Sequence, residues 1–401
     1  DTLQCRAQAL CEGLTLATLE QTSEVLRDFI AHPTVSADSN LAMIADIAER
    51  LGDVGARVEL QTSPDGRKAN LFATLGPDGA GGLVLSGHSD VVPVEGQDWT
   101  SDPFKMVERD GRLYGRGTCD MKGFIAAVVA KAPEFAALSL KKPLHFAFTY
   151  DEETGCLGAQ ALAGWLKEHD IQPRLAIIGE PTMMSVIEGH KGCCEYTTRF
   201  HGLAGHGSSP DRGVNAVEYA VRYVARLLEL GEALKARAPK DSPFDPPWTT
   251  INTGSLTGGF AHNVIPEEAQ VEWEFRPVQA SDFGFVKTEI EDYVASVLLP
   301  AMRKISPTAQ ITTQIMGEVA GLEPATENEA RDILLELTGG NRTDVVSFGT
   351  EAGIFAYLGM STVVCGPGSI EQAHKSDEYL ALDQLRKCLD MLDGLEMRIR
   401  A

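Results

Sequence analysis

The chain has 401 residues, of which 43% are hydrophobic and 23% charged, and its formal net charge at pH 7 is −22. This length exceeds what one ordinary hydrophobic core organises, so we expect a soluble globular protein with two domains. The negative charge opposes binding to nucleic acid or to anionic membranes, since both require a basic surface. No apolar run approaches the roughly 18 residues that a membrane-spanning helix needs.

The eight cysteines have neither the spacing of a disulfide framework nor a paired C-x-x-C pattern. A chain of this size does not need disulfides for stability, so we expect reduced thiols. The N-terminal residues also lack the basic segment followed by an apolar run that is typical of a secretory signal. These features predict a cytoplasmic protein.

Helix and strand patterns alternate over the first 188 residues. Helices are expected near residues 17–32 and 41–55, and strands at "NLFATLG" and "GLVLSGHS". A helix follows Asp120, and then come the strand "LHFAFTY", the helix "GAQALAGWLKEH" and the strand "RLAIIGEP". Strands that alternate with helices predict a mainly parallel sheet covered by helices on both faces.

The pattern changes near residue 189. The strand "CCEYTTRFHG" precedes a long amphipathic helix, two strands ("TTINTGSLTGG" and "AQVEWEFRP"), a helix over residues 283–305 and the strand "QITTQIMGE". The α/β pattern resumes after about residue 320. We therefore predict one domain from residues 1–188 and 320–401, with a smaller α+β domain, residues 189–319, inserted into it.

Acidic and imidazole side chains follow four predicted strands or open a helix. These residues are His88, Asp90, Asp120, Asp151, Glu152, Glu153, Glu180 and His374. Ligand sites in α/β sheets form at the carboxyl ends of the strands, so we expect all eight at one edge. Carboxylates packed together without partners are costly, and bound cations would remove that cost. Histidines with several carboxylates suit zinc, and two ions sharing one carboxylate would lie about 3.5–4 Å apart.

Six segments together show a resemblance to a known family. The segments "GHSDVVPV", "YGRGTCDMKG", "TYDEETG", "GEPT", "GHGSSPDRGVNA" and "AHKSDEYL", in this order, resemble the dizinc aminoacylase/carboxypeptidase family. The resemblance extends from about residue 20 to 395, and residues 1–16 match nothing. It implies a zinc-peptidase-like, three-layer αβα catalytic domain with an inserted ferredoxin-like domain that serves as lid and dimerisation domain.

The resemblance also implies a set of metal ligands and a homodimer. His88 would bind one zinc and His374 the other, and Asp120 would bridge both ions. Glu153 would lie at one ion and Glu180 at the other. Two Zn²⁺ ions are the expected cofactors, with Co²⁺ or Mn²⁺ as alternatives.

Further roles carried over from the family concern catalysis and substrate binding. Glu152 would be the general base, and it can face the substrate while Glu153 faces a metal, because neighbours in an extended segment point opposite ways. Asp90 would orient His88. His206, from the other subunit, would stabilise the oxyanion. Arg276 and Asn263 would bind the substrate carboxylate, Arg276 through its guanidinium fork.

The reaction implied is hydrolysis of the amide bond of an N-acyl-L-amino acid. The acid at Glu180 is typical of deacylases, whereas an aspartate there is typical of peptidases. N-acetyl-L-ornithine, cleaved to L-ornithine and acetate in arginine biosynthesis, is the leading substrate. Glu351 is the one candidate for binding the terminal amine of the ornithine group. Cys119, where the family favours a smaller residue, is expected to fill space rather than to bind metal.

Two alternatives remain open at this point. The first keeps the chemistry and changes the acyl group, as in a succinyl-diaminopimelate desuccinylase or a broad aminoacylase. The second is a metal-stabilised binding protein without activity. It predicts the loss of the base or of a ligand, and the chain retains Glu152 and all five ligands.

Overall fold

The computed structural model describes residues 17–400. The chain divides into two compact units. The large unit comprises residues 17–189, 324–344 and 350–400, and the inserted unit comprises His190–Glu323 and Val345–Gly349. Among the residues described, no helix has the length and apolar character needed to cross a membrane.

The helices belong to both units. In chain order they are α1 (Leu19–Ile30), α2 (Leu41–Asp53), α3 (Lys122–Ala136), α4 (Leu157–Glu168), α5 (Ala216–Ala236), α6 (Ala280–Tyr293), α7 (Leu299–Arg303), α8 (Glu329–Thr338), α9 (Ala352–Tyr357) and α10 (Leu382–Ile399). Thr18 caps α1, since its hydroxyl accepts a hydrogen bond from the Gln21 backbone N–H and the Gln21 side chain accepts one from the Thr18 N–H.

The strands follow the same order. They are β1 (Arg57–Thr62), β2 (Ala69–Leu75), β3 (Leu83–His88), β4 (Val107–Arg109), β5 (Arg112–Tyr114), β6 (Leu144–Thr149), β7 (Leu175–Pro181), β8 (Ile187–His190), β9 (Cys193–His201), β10 (Gly205–His206), β11 (Thr250–Gly258), β12 (Val264–Ile265), β13 (Glu268–Arg276), β14 (Gln310–Val319), β15 (Asp344–Val346), β16 (Ser361–Gly366) and β17 (Tyr379–Ala381).

The large unit is built on a sheet with the strand order β1–β2–β6–β3–β7–β16–β8–β15. Its centre is parallel, where β3 lies between β6 and β7 and β7 pairs with β16. Strand β2 is antiparallel to β1 and to β6, and β8 is antiparallel to β16. The expectation of a mainly parallel sheet is therefore correct only for the centre. Residues 63–68, between β1 and β2, are too few for the crossover that a parallel pair requires.

Alternate side chains of the central strands face opposite layers of helices. Leu71 and Phe146 belong to the same core as Phe124 of α3. Phe72 points the other way, and its ring lies 5.7 Å from that of Trp165 in α4. Helices thus cover both faces of the sheet, which is the three-layer αβα arrangement that the sequence predicts.

The inserted unit has a β-α-β-β-α-β order formed by β9, α5, β11, β13, α6 and β14. Its antiparallel sheet has the strand order β11–β13–β9–β14. The buried residues of α5 recur every three or four positions and pack on this sheet: Ala216, Ala220, Tyr223, Leu227, Leu230 and Leu234. The predicted fold class, an αβα unit with an inserted ferredoxin-like α+β unit, is confirmed.

Two details differ from the sequence expectation. The helix predicted over residues 283–305 is α6, a π-helical turn at Val294–Leu298 and the short α7. Strand β1 was not predicted, although its apolar residues Val58 and Leu60 alternate with polar ones; in the structure it is mostly exposed.

A buried ammonium group ties α3 to α10. Lys131 is 1% exposed and lies among Glu134, Asp393 and Glu396. Its nitrogen is 2.6 Å from both Asp393 Oδ1 and Glu396 Oε1. Burial by itself lowers the pKa of Lys131, but the hydrogen bonds to the three carboxylates outweigh this effect and raise it. The positive charge that these acids require is therefore already supplied by the chain.

Replacing Lys131 with methionine should destabilise the protein by about 3–5 kcal/mol, because three carboxylates would lose their buried cation. The free energy of unfolding in urea measures this cost. The control is Lys105→Met, which removes an exposed ion pair with Asp102 and should cost no more than about 1 kcal/mol. Equal losses in the two variants would contradict the role of Lys131.

Candidate metal centre

The carboxyl ends of the central strands bring the predicted ligands together. His88 is the last residue of β3, Glu180 lies near the end of β7, and Glu153 follows β6. Asp120 precedes α3, and His374 lies between β16 and β17. Parallel strands end at the same edge of a sheet, and this edge is where sites form in such folds.

Two groups of side chains could each hold a cation. The first comprises His88, Asp120 and Glu180, and the second comprises Asp120, Glu153 and His374. Within each group, one ligand atom from every residue lies within 4.8 Å of the others. Asp120 belongs to both groups, which is compatible with the bridging position that the family resemblance implies for it.

The first group is buried. His88 Nε2 lies 3.0 Å from Asp120 Oδ1 and 3.8 Å from Glu180 Oε1. His88 is 1% exposed and Glu180 is 3% exposed. Glu180 Oε1 is buried without a hydrogen-bond partner. A buried carboxylate oxygen that lacks a donor is costly, and a metal ion would satisfy it.

The second group opens to solvent through its imidazole. His374 Nε2 lies 3.1 Å from Glu153 Oε2 and 3.5 Å from Asp120 Oδ2. The His374 side chain is 53% exposed, whereas that of Glu153 is 9% exposed. Asp120 therefore directs one oxygen to each histidine.

Burial and mutual repulsion shape the protonation of this centre. Burial raises the pKa of the Glu152 and Glu180 carboxyls well above their usual range. Hydrogen bonds to Asp120 and Glu153 raise the pKa of His374 to about 10. Burial opposes ionisation of Asp120, but hydrogen bonds to His374 and His88 outweigh it and lower the pKa of that carboxyl. Without a bound cation, the neighbouring carboxylates therefore favour the protonated form of His374.

The residues fit a pair of divalent cations. Each group offers one imidazole nitrogen and carboxylate oxygens, a donor set that suits zinc and related metals. The unpartnered oxygen of Glu180 and the shared carboxylate of Asp120 fit the same interpretation. A cation would replace protons on the histidines, since a metal-binding imidazole is neutral.

The Asp90 carboxylate lies closer to the backbone of the predicted base than to His88. His88 Nδ1 lies 2.9 Å from the Asp90 backbone oxygen but 3.6 Å from the carboxylate. The carboxylate instead accepts hydrogen bonds from the backbone N–H groups of Glu152 (3.1 Å) and Glu153 (3.3 Å), and from the Ser36 hydroxyl (2.6 Å). Its side chain therefore orients the segment after β6, and its backbone orients the imidazole.

Glu152 and Glu153 lie in a turn, so the expectation that they belong to an extended segment is wrong. Asp151 has a positive φ of 55° and opens the turn, and the Glu152 carbonyl accepts hydrogen bonds from the N–H groups of Gly155 and Cys156. The Cys156 thiol lies 3.6 Å from Glu152 Oε1. Turn geometry, rather than strand alternation, therefore separates the two carboxylates.

The remaining predicted residues belong to the inserted unit. His206 is exposed, and its Nδ1 lies 2.8 Å from the Ser208 hydroxyl. The Asn263 backbone oxygen accepts a hydrogen bond from Gly207, which places Asn263 beside His206. Arg276 ends β13 and donates from Nη2 to Glu274 at 2.9 Å.

Two other residues singled out in the sequence are buried and hydrogen-bonded within the large unit. Glu351 is fully buried, and its two oxygens accept hydrogen bonds from the hydroxyls of Ser86 (2.5 Å) and Thr149 (2.7 Å). Both oxygens already accept hydrogen bonds from residues of the central strands, so the structure does not support a role for Glu351 in binding a substrate amine. Cys119 is 1% exposed, and its sulfur lies 3.2 Å from the Ser369 backbone oxygen; its space-filling role stays a prediction.

The side chains that hydrogen-bond to the segments carrying the candidate ligands were not identified from the sequence. Lys68 donates to Asp151 Oδ1 at 2.5 Å, and Glu378 accepts hydrogen bonds from the backbone beside Asp120. Glu378 lies within the "AHKSDEYL" segment, four residues after His374. Its place in that segment was the only signal, because a single acid on a loop is ordinarily solvated.

Comparisons with known proteins agree with this fold and site. The sequence model of a protein family described as "Peptidase family M20/M25/M40" matches residues 84–397 of the chain. An acetylornithine deacetylase from Klebsiella pneumoniae (strain 342) is 38% identical over 364 residues, which cover 89% of the chain and 92% of that relative.

Two solved structures share the fold. An M20 family metallo-carboxypeptidase from Sulfolobus solfataricus superposes with a TM-score of 0.71 at 16% identity, covering 95% of the chain and 99% of that structure. A dinuclear metal-binding peptidase of the M20 family from Bacillus subtilis has a TM-score of 0.61 at 16% identity, covering 95% and 98%.

The chain therefore belongs to the peptidase family M20/M25/M40 and is a metal-dependent hydrolase. The resemblance inferred from the six sequence segments is confirmed, and so is the prediction of an enzyme. The alternative of a binding protein without activity is set aside.

We expect the purified protein to bind two zinc ions per chain and the His374→Ala variant to bind one, because His374 supplies the only imidazole of the second group. Metal analysis after dialysis against trace zinc measures the stoichiometry. His201→Ala is the control, since His201 lies in the inserted unit and pairs with Glu268. The ligand assignment fails if the wild-type protein retains no zinc, or if both variants lose the same amount.

Proposed function

We propose that this protein hydrolyses N-acetyl-L-ornithine to L-ornithine and acetate, a step of arginine biosynthesis. The observation that supports this proposal best is the pair of cation-binding groups joined by Asp120, with Glu152 in the adjoining turn. The 38% identity to an acetylornithine deacetylase over most of both chains supports this substrate. Glu180, which is typical of deacylases, supports the same choice over a peptide.

His88, Asp120 and Glu180 would hold one cation, and Asp120, Glu153 and His374 the other. When bound, the two cations supply Lewis acidity that polarises the amide carbonyl and acidifies the attacking water. Zinc suits the donor set, and Co²⁺ or Mn²⁺ could replace it.

Glu152 would act as the general base. It takes a proton from the attacking water and later gives one to the leaving nitrogen. The bond from water oxygen to the acyl carbon forms and the C–N bond breaks, so acetate and the free amine leave. The backbone N–H groups of Glu152 and Glu153 donate to the Asp90 carboxylate, and these hydrogen bonds would hold the base in place during both transfers.

The inserted unit would supply charge stabilisation and substrate binding. His206 of the partner subunit of a homodimer would donate a hydrogen bond to the carbonyl oxygen as negative charge develops there. Arg276, oriented by Glu274, would pair with the substrate carboxylate, and Asn263 would contact the same group. In this proposal residues 1–188 and 320–401 act as the catalytic domain, and residues 189–319 as the lid and dimerisation domain.

We propose a cytoplasmic location on the basis of the cysteines. Cys119, Cys156, Cys365 and Cys388 are buried thiols. Burial raises the pKa of each of these groups, which keeps them protonated and unreactive.

Zinc-loaded protein should release amine from N-acetyl-L-ornithine, and a chelator should abolish this activity until zinc is restored. The matched control is Glu152→Gln, which keeps every ligand but removes the base, and should lower kcat by about 10²–10⁴-fold. N-succinyl-L,L-diaminopimelate and longer acyl-amino acids are measured in parallel. Preference for one of these, with two zinc ions bound, would reject the substrate and retain the site.

Replacing His206 with alanine should lower kcat by about 10²–10³-fold and change KM less, since the lost hydrogen bond forms only as charge develops. Steady-state kinetics on the preferred substrate measure both constants. His262→Ala is the control, because His262 is also an exposed histidine of the same unit. An unchanged kcat in His206→Ala would rule out the oxyanion role.

A further inference from the structure

We propose that Glu378 and Arg116 form a positioning pair that fixes the spacing between the two cation sites. The pair would do so by holding the two segments that carry Asp120 and His374. The inference rests on the proposed two-cation site. Neither residue contacts the reacting atoms in this proposal, and both act through the ligands that they hold.

Glu378 is a buried carboxylate directed at the backbone of the Asp120 segment. It is 1% exposed. Its Oε1 accepts hydrogen bonds from the N–H groups of Cys119 (2.8 Å) and Asp120 (3.1 Å). Its Oε2 accepts one from the N–H of Gly117 at 2.9 Å. Three backbone donors thus converge on one carboxylate, and one of them is the N–H of Asp120, the candidate ligand shared by both groups.

The turn that presents these donors requires glycine. Gly117 has a φ of +85°, a left-handed conformation that residues with a side chain rarely adopt. A Cβ atom at this position would lie 2.8 Å from Val91 Cγ1. The turn from Gly117 to Asp120 therefore forms a nest of N–H groups, and the anion that it binds is the side chain of Glu378.

Arg116 neutralises this carboxylate and links it to the His374 segment. Its guanidinium is 1% exposed and donates from Nη1 to Glu378 Oε2 at 2.8 Å. The same nitrogen lies 3.3 Å from the backbone oxygen of Lys375, the residue after His374. Nη2 donates to Gln97 Oε1 at 2.6 Å. One planar fork therefore contacts Glu378, the His374 segment and the loop that contains Gln97.

The His374 segment depends on these contacts, because its imidazole is half exposed and lies on a loop. His374 has a φ of 62° and its backbone oxygen accepts a hydrogen bond from Gln97 Nε2 at 2.9 Å. Asp377 Oδ1 accepts hydrogen bonds from both the backbone and the hydroxyl of Thr100. Gln97 is thus held by Arg116 and in turn holds His374.

A carboxylate at position 378 cannot be replaced by an amide of the same shape. All four groups around Glu378 are donors, whereas a glutamine would present an NH₂ group to at least one of them. It would also leave the buried guanidinium of Arg116 without its counter-charge. Supporting residues of this kind typically change metal affinity or activity by about 10–100-fold when they are replaced.

The test compares zinc affinity and the Co²⁺ absorption spectrum of wild type, Glu378→Gln and Arg116→Lys. Competition with a chromophoric chelator measures affinity at each of the two sites. We expect both variants to lose about 10–100-fold in affinity at one or both sites, with a changed Co²⁺ spectrum. At saturating metal, kcat should fall more than KM rises, and Glu378→Asp should restore part of the loss.

The control variant is Glu396→Gln, which also removes a buried carboxylate from a buried cation, Lys131. It should lower stability without changing metal affinity or the Co²⁺ spectrum. If Glu378→Gln does not fold, Arg116→Lys decides the question. The proposal is overturned if the variants that fold lose only stability and keep wild-type affinities and spectra. A wild-type protein that binds fewer than two cations would instead reject the proposed site itself.

Discussion

The centre of this protein depends on the concentration of acidic groups at one edge of a sheet. Asp90, Asp120 and Glu180 are all nearly inaccessible to water, and Glu152 and Glu153 lie close by. Such a set of carboxylates is unfavourable unless each oxygen has a donor or a cation. Several surrounding groups satisfy these oxygens, among them the backbone N–H groups and the Ser36 hydroxyl that donate to Asp90.

Two carboxylates that do not belong to either ligand group organise those that do. Asp90 receives the backbone N–H groups of Glu152 and Glu153, and Glu378 receives those of Cys119 and Asp120. Each of them holds its segment through main-chain donors, which do not rotate as side chains do. The chain thereby fixes ligands that lie on turns, where a sheet alone would give little precision.

The chain also contains an acidic cluster that does not need a metal ion, because a lysine supplies its positive charge. Glu134, Asp393 and Glu396 could coordinate a metal by distance alone, yet the ammonium of Lys131 lies among them. At the candidate centre, the ion pairs found within residues 17–400 join the carboxylates only to His88 and His374, and not to a lysine or arginine. This difference between the two clusters distinguishes a structural ion network from a metal site.

The sequence by itself predicted an α/β fold with an inserted α+β unit and a cluster of acids and imidazoles at one sheet edge, and its resemblance to a known family singled out five of them as candidate ligands. The fold and the cluster were predictable because strand ends and hydrophobic periodicity are local properties, and parallel strands bring their ends to one edge. Tertiary structure alone decided the turn that contains Glu152 and Glu153 and the hydrogen bonds that both oxygens of Glu351 accept. It also decided the contacts of Asp90, Arg116 and Glu378. These depend on hydrogen bonds between residues as far apart as Asp120 and Glu378, and no local pattern records which distant donor a carboxylate meets.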